Sequence, residues 1–358
     1  MKVHCRVLTT IFLLLVLPLA AHSAQRRVII DTDPGTDDAI ALFMAMRSPD
    51  LKIEAITTVA GAGGPIEQTL ANALRLVEIA DRTDIPVAGG AAGPLVRTRR
   101  VWPAKGGVHG ANGLGDVVFP EPTTKAVVTP APQLIREIVH KYPHEVSIIA
   151  IGMETNVALA LREEPGLASL IDEVVVMGGS LLRGNATPAA EANIYYDPEA
   201  ARIVFHSGVK LTMVGLDPLL DGGFSEEDLQ KLAASDKKVA QAAAKIAAAR
   251  WASDRARPAM WYTSPKSPNL ADPAAMAAFL DRSLFQWEQL YVDVETSGEL
   301  TAGMTVPYRV APMRRSQPLL GQPETSSLIS DTFKPNCSAA VHVDGPRWVK
   351  MMMELLTR

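Results

Sequence analysis

Four carboxylates crowd into eight residues near the start of the chain, where Asp31-Thr32-Asp33-Pro34-Gly35-Thr36-Asp37-Asp38 follows directly on the apolar run Val28-Ile29-Ile30. The run reads as a strand, and Asp37 and Asp38 open the next helix. Asp is favoured at helix starts, where unpaired N–H groups and the positive end of the dipole meet it, and this accounts for one or two of the four. It does not account for all of them, because like charges held a few ångströms apart repel unless protons or a cation neutralise them. Ca²⁺, which accepts six to eight oxygens from carboxylates, carbonyls and water, is the simplest remedy. The spacing is not that of an EF-hand: Gly35 is the fifth residue rather than the sixth, and the twelfth is Leu42 where a Glu belongs. Further ligands must therefore come from elsewhere in the chain.

The elements that would position such a site alternate along the sequence. Val28 to Ile30, Ile53 to Val59, Val146 to Ile151, Val174 to Met177 and Leu211 to Val214 read as buried strands. Helical patterns separate them at Asp37 to Met46, Glu67 to Ala80, Leu134 to His140, Val157 to Leu161 and Pro198 to His206. Repeated strand, helix, strand predicts an α/β fold: one domain from about Gln25 to Arg358, with a largely parallel (mixed) central sheet flanked by helices, Rossmann-like. Such sheets place ligands at the carboxyl ends of their strands, where the Asp cluster falls. Ser225 to Arg250, rich in Ala, Lys, Gln and Glu, reads as one long surface helix. Gly89 to Pro122 has no clear period and is long for a connection, which makes it a candidate active-site loop.

Residues 1–24 have the layout of a secretory signal peptide: Lys2 and Arg6, the apolar run Val7 to Ala20, then small residues around Ala21, Ser23 and Ala24. The apolar run is shorter than the ~20 residues of a membrane-spanning helix, so the expectation is an exported, periplasmic or secreted protein with no stable membrane anchor after cleavage. Removal of Cys5 leaves only Cys337, which excludes an internal disulfide. It also leaves 33 basic against 39 acidic residues, moving the net charge from -4 to -6. That balance lacks the basic footprint of a nucleic-acid binder. A hydrophobic content of 47% is enough to bury a sizeable core.

The run Asp31 to Ala39 resembles the amino-terminal signature of the inosine-uridine preferring nucleoside hydrolases. The likeness continues in order through Ile56-Thr57-Thr58-Val59, Gly107-Val108-His109-Gly110, Thr155-Asn156-Val157-Ala158, Val176-Met177-Gly178-Gly179 and Gly184-Asn185-Ala186-Thr187. It extends through Glu191-Ala192-Asn193, Asp197-Pro198-Glu199-Ala200-Ala201, Met213-Val214-Gly215-Leu216-Asp217, Asp272-Pro273 and Gly303-Met304-Thr305-Val306. Together these matches span nearly the whole mature chain. The resemblance implies a Ca²⁺ site formed by Asp33, Asp38, the backbone carbonyl of Ile151 and Asp272. Without it, Asp272 reads as the N-cap of a helix beginning at Pro273, and Ile151 as a strand residue. The resemblance also implies that Asn185, Glu191 and Asn193 hold ribose hydroxyls, that Asp37 accepts from the 2′-hydroxyl and that Met177 lines the sugar pocket. Glu191 and Asn193, two apart on what reads as an extended segment, would point the same way.

The implied reaction is hydrolysis of the N-glycosidic bond of a small-molecule ribonucleoside. Its oxocarbenium-like transition state needs a water nucleophile, nearby negative charge and help for the departing base. A calcium-held water beside Asp33, acting as general base, would supply the nucleophile, and buried partners for the sugar hydroxyls would select ribose over deoxyribose. Relatives are commonly dimers or tetramers, so a homodimer or homotetramer is implied as well.

The chain departs from the family pattern in three places. Members preferring inosine and uridine carry His immediately before the late Asp-Pro pair, as a candidate acid for the leaving base, and here that residue is Ala271. The alternatives are His109 in the Gly-rich loop, or stacking on Trp251, Trp261 or Tyr262, each of which also reads as ordinary packing. Gly61-Ala62-Gly63-Gly64 has Ala where the family tends to have Asn, and Glu154 stands at a usually apolar position. Two other functions compete with the hydrolase. A haloacid dehalogenase-type phosphatase would use the Asp-x-Asp pair with Asp217 and Asp221, but has Thr or Val where this chain has Gly35. An exported nucleoside- or sugar-binding protein would keep the metal and ribose contacts without leaving-group catalysis.

Overall fold

The computed structural model describes residues 25–97, 107–221, 224–256, 267–268, 270–308 and 333–358. The signal segment, Trp261 and Tyr262 lie outside them. Nine strands form one sheet: β1 (Arg26–Thr32), β2 (Leu51–Thr58), β3 (Val87–Gly89), β4 (Val146–Ala150), β5 (Glu173–Met177), β6 (Leu211–Val214), β7 (Phe285–Val294), β8 (Thr305–Tyr308) and β9 (Cys337–Val343). Their order is β3-β2-β1-β4-β5-β6-β9-β7-β8. Every pairing from β3 to β9 is parallel, and β7 runs antiparallel to both β9 and β8. The expected mixed, largely parallel α/β sheet is therefore what forms.

Both faces of this sheet are covered, and the period of two sorts its residues between them. Val28, Ile30, Ile149, Ile151, Val175 and Met177 belong to one apolar cluster, whereas Ile29, Ile148, Ala150, Val174 and Val176 belong to the other. The first cluster takes in α1 (Thr36–Arg47), α2 (Ile66–Ile79) and the C-terminal helix Gly345–Leu356. The second takes in α3 (Ala131–Lys141), α4 (Thr155–Glu163) and α6 (Pro198–Phe205), which follows the short α5 (Ala192–Tyr196). α1 is buried over every residue but Arg47.

One expected element is corrected. Residues 225–250 do not form one surface helix but two helices, α7 (Glu226–Ala234) and α8 (Lys238–Arg255). Ser225 caps the first by accepting from the Asp228 N–H, and Ser235, in extended backbone, ends it. α8 is buried along much of its length, because its alanines let it approach α1 closely. It carries Arg250 and Asp254 into the interior. α9 (Ala271–Leu280) lies against α1 and β5. Among the described residues no helix is long and apolar enough to cross a membrane.

Candidate active site

The carboxyl ends of β1, β4 and β5 meet at one edge of the sheet, and the Asp-rich turn leaves β1 there. Asp31 belongs to the frame of this site. Its Oδ1 accepts from Thr57 Oγ1 at 2.5 Å and Asn156 Nδ2 at 2.8 Å, and burial pushes its carboxyl up to about 7. Asp33 Oδ2 accepts from the Ala62 N–H at 2.5 Å. Asp38 takes Thr32 Oγ1 at 2.6 Å and the Gly35 N–H at 2.9 Å. Burial, followed by the charge of Asp37, pushes Asp38 up to about 6.

Asp272 enters from far along the chain at the start of α9, 4% exposed. Burial and then the charges of Asp38, Asp37 and Asp33 hold its carboxyl well above the usual range, and burial together with Asp38 does the same to Asp33. Carboxylate oxygens of Asp37, Asp38 and Asp272 lie within 4.8 Å of one another. Buried acids this close are costly as anions, so the donor set fits a hard, oxygen-binding cation. Asp33 stands outside that closest trio but within its electrostatic reach.

Glu191, Asn193 and Met177, expected at the sugar pocket, lie at the ends of β4 and β5, with one change of geometry. Asn193 is not on an extended segment: it sits inside α5, with Glu191 as the N-cap. The cap forms because Glu191 accepts from the N–H groups of Asn193, Ile194 and Gly179 at 2.9–3.2 Å. Its side chain therefore holds the β5–α5 connection together. Asn193 Nδ2 spans two strand ends, donating to the Met177 carbonyl at 3.0 Å and the Ile151 carbonyl at 3.2 Å. The Ile151 carbonyl keeps a second lone pair. Met177 is buried, with Sδ 3.4 Å from Asn193 Nδ2. Asn185 has a buried Oδ1 without a hydrogen-bond partner. The Ala62 side chain has no hydrogen-bonding group, but its N–H orients Asp33.

His109, 8% exposed, comes from the Gly89–Pro122 loop and packs its ring on Gly35, where a Cβ would lie 2.5 Å from Nδ1. Nδ1 receives the Thr36 N–H at 3.1 Å and lies 3.0 Å from Thr36 Oγ1. Asp37 Oδ1, 3.6 Å from Nδ1, takes its hydrogen bond from Arg250 instead. Nδ1 thus acts as acceptor, and the ring proton resides on Nε2. Arg250 was not singled out by sequence. Its Nη1 donates to Asp37 at 2.9 Å and to Thr36 Oγ1 at 3.2 Å, while Nε donates to Asp254 at 3.1 Å. Burial opposes its charge, but Asp37, Asp254 and Asp272 together hold its pKa above the usual value. The available signal was an Arg and an Asp four apart in an Ala-rich helix, where an ion pair normally reads as surface.

Other sequence candidates resolve differently. Trp251 is 3% exposed, packed against Phe224 and covered by Arg255, so it belongs to the core. Ala271 is buried in the first turn of α9. Asp217 accepts from Ser180 Oγ and the Leu181 N–H, and the Asp221 side chain lies outside the described residues.

A largely parallel α/β sheet with buried carboxylates gathered at its strand ends is a scaffold that many reactions share, and comparison with known proteins identifies the class. The family model described as inosine-uridine preferring nucleoside hydrolase matches residues 28–350. The chain belongs to that family and is a hydrolase acting on N-glycosyl bonds. It is 43% identical over 286 residues, 79% of this chain and 88% of the relative, to the pyrimidine-specific ribonucleoside hydrolase RihA of Photobacterium profundum. It is 38% identical to RihA of an Enterobacter species, covering 92% of this chain and 97% of that one. Among solved structures, the plant nucleoside hydrolase PpNRh1 superposes with a TM-score of 0.80 at 33% identity, covering 93% of this chain and 99% of its own. A purine-preferring ribonucleoside hydrolase from Gardnerella vaginalis superposes with a TM-score of 0.81 at 28% identity, covering 93% and 98%. The phosphatase reading falls with this assignment.

Proposed function

We propose that the protein hydrolyses the N-glycosidic bond of ribonucleosides in a Ca²⁺-dependent reaction, giving ribose and free base. The observation that carries this reading is the gathering of Asp33, Asp38 and Asp272, buried and crowded, beside the Ile151 carbonyl and the amide of Asn193. Asp33, Asp38, Asp272 and the Ile151 carbonyl would hold the ion. When bound, Ca²⁺ supplies a Lewis acid that acidifies water and grips vicinal hydroxyls.

This chain's own groups do the rest. Asp33, oriented by the Ala62 N–H, takes the proton of the attacking water. Asp37 accepts from the 2′-hydroxyl, and Asn185 and Asn193 bind the remaining hydroxyls, with Glu191 fixing the turn that presents Asn193. Met177 closes the pocket under the sugar. His109, whose Nδ1 is occupied by Thr36, would hydrogen-bond the departing base through its Nε2–H in place of the His that Ala271 replaces, while the base takes its proton from solvent.

The test is a panel of purine and pyrimidine ribonucleosides assayed for free ribose, with calcium and with a chelator. Calcium-dependent ribose release is expected, and the preferred base is read from the same panel. Calcium-dependent binding with no base released would identify a binding protein and overturn the proposal. We also place the mature enzyme outside the cytoplasm as a homo-oligomer. Intact Lys2 and Arg6 on the purified cellular protein, or a monomer in sedimentation, would count against those two points.

A further inference from the structure

Three carboxylates converge within 4.8 Å, yet only two of them belong to the ligand set proposed above. Asp37 is the third, and by distance alone it could ligate a cation as readily as Asp38 or Asp272. What sets it apart is Arg250, a guanidinium buried to 5% exposure whose Nη1 meets Asp37 Oδ1 at 2.9 Å. The same Nη1 reaches Thr36 Oγ1 at 3.2 Å. That hydroxyl, having accepted from Arg250, turns its own proton toward His109 Nδ1 at 3.0 Å. Asp254, one turn along α8, holds the other side of the guanidinium through Nε at 3.1 and 3.2 Å.

We propose that Arg250 is a positioning residue that divides the acidic cluster, reserving Asp37 for the substrate's 2′-hydroxyl and leaving Asp33, Asp38 and Asp272 to the cation. The inference rests on the functional reading above and extends it to a helix that contributes no ligand. A guanidinium suits the task because it stays charged in a buried site and its planar fork serves Asp37, Thr36 and Asp254 at once. An ammonium presents a single point of charge and cannot span all three. The prediction is therefore a split that general loosening would not produce: without Arg250 the ion gains a ligand and the sugar loses one.

The test compares the full-length wild type with R250M/D254M, which removes the buried cation together with the carboxylate on its other side and so limits unpaired charge. Calcium binding is measured by calorimetry, and kcat/KM is measured on a ribonucleoside and on its 2′-deoxy counterpart. The double variant should bind calcium about tenfold more tightly, lose about 100-fold in kcat/KM on the ribonucleoside and lose at least tenfold of its ribose preference. R250K should recover part of that preference. Unchanged preference and calcium affinity in an otherwise active variant would overturn the role of Arg250 alone. Joint loss of calcium binding and folding would also overturn it, by showing that the residue serves only the core. A wild type that releases no base from any ribonucleoside in calcium would instead sink the functional reading, and this inference with it.

Discussion

Asp33 is held by the backbone of residue 62: its Oδ2 takes the Ala62 N–H at 2.5 Å, while Gly61 and Gly152 press against the same carboxylate. A Cβ at Gly61 would lie 2.0 Å from Oδ2, and one at Gly152 would lie 2.7 Å from Oδ1. The proposed base is thus aimed by two glycines and an amide, with no side-chain hydrogen bond to it among the described residues.

Gly61→Ala is therefore expected to displace the Asp33 carboxylate. Activity should fall by about 100-fold, as for a misplacement of an ångström, at a stability cost of about 1–3 kcal/mol from overpacking. Kinetics and thermal melting on the same sample check both. A variant with wild-type kcat/KM would remove Asp33 from the mechanism.

Calcium should stabilise the folded protein by relieving the repulsion among Asp33, Asp38 and Asp272. At a hundred times its dissociation constant a ligand adds about 2.7 kcal/mol, which differential scanning calorimetry reads as a higher Tm. Asp272→Asn should raise the Tm of the calcium-free protein, because one buried like charge is gone, and should shrink the calcium increment. An equal increment in wild type and variant would contradict this ligand assignment.

Glu154 predicts a pH dependence. It is fully buried with both oxygens unpartnered, and burial, followed by the charges of Glu191, Asp197 and Asp31, holds its carboxyl well above the usual range. A group that binds its proton more tightly when folded stabilises the fold fully only below its unfolded pKa, about 4.3, and that contribution is lost as pH rises toward the folded value. Glu154→Gln abolishes the titration, so the Tm difference between variant and wild type should move in the variant's favour on going from pH 5 to pH 8. The slope corresponds to ~1.4 kcal/mol per pH unit while the folded wild type stays protonated. A pH-independent difference would show that the site is already paired.

The tautomer of His109 makes the fourth prediction. His109→Ala should lower kcat/KM on ribonucleosides by about 10²–10³, the usual cost of losing one preorganised hydrogen-bond donor to developing negative charge. On p-nitrophenyl riboside, whose leaving group departs unprotonated, the loss should be under about tenfold. Equal losses on both substrates would assign His109 to binding.

Much of this architecture was legible before any coordinates. The β-branched runs at Val28–Ile30 and Val174–Met177 are buried on both faces, and that uniform burial is why they read as continuous apolar strands. The Ser225–Arg250 stretch misled because α8 is alanine-rich, and small residues do not reveal which side faces a neighbour until the neighbour is present. β3, β7, β8 and β9 were not read at all. They are short or lie late in the chain, where pairing is set by partners distant in sequence. Likewise Ala62 looked like a lost contact, yet the fold uses its N–H, which every non-proline residue carries.

The sequence by itself determined what is local: the period of strand and helix, the Asp-rich turn at the end of β1, and the ordered motifs that mark the family. Only the tertiary structure decided which acids meet. Asp272 faces Asp38, and Arg250 reaches Asp37 across 213 residues of chain, because α8 and α9 both pack on α1. It also decided that Glu191 spends its oxygens on three backbone N–H groups. The reason is physical: propensity and periodicity act over one or two turns, whereas the pairing of buried charges follows from how rigid elements pack, which no local pattern records.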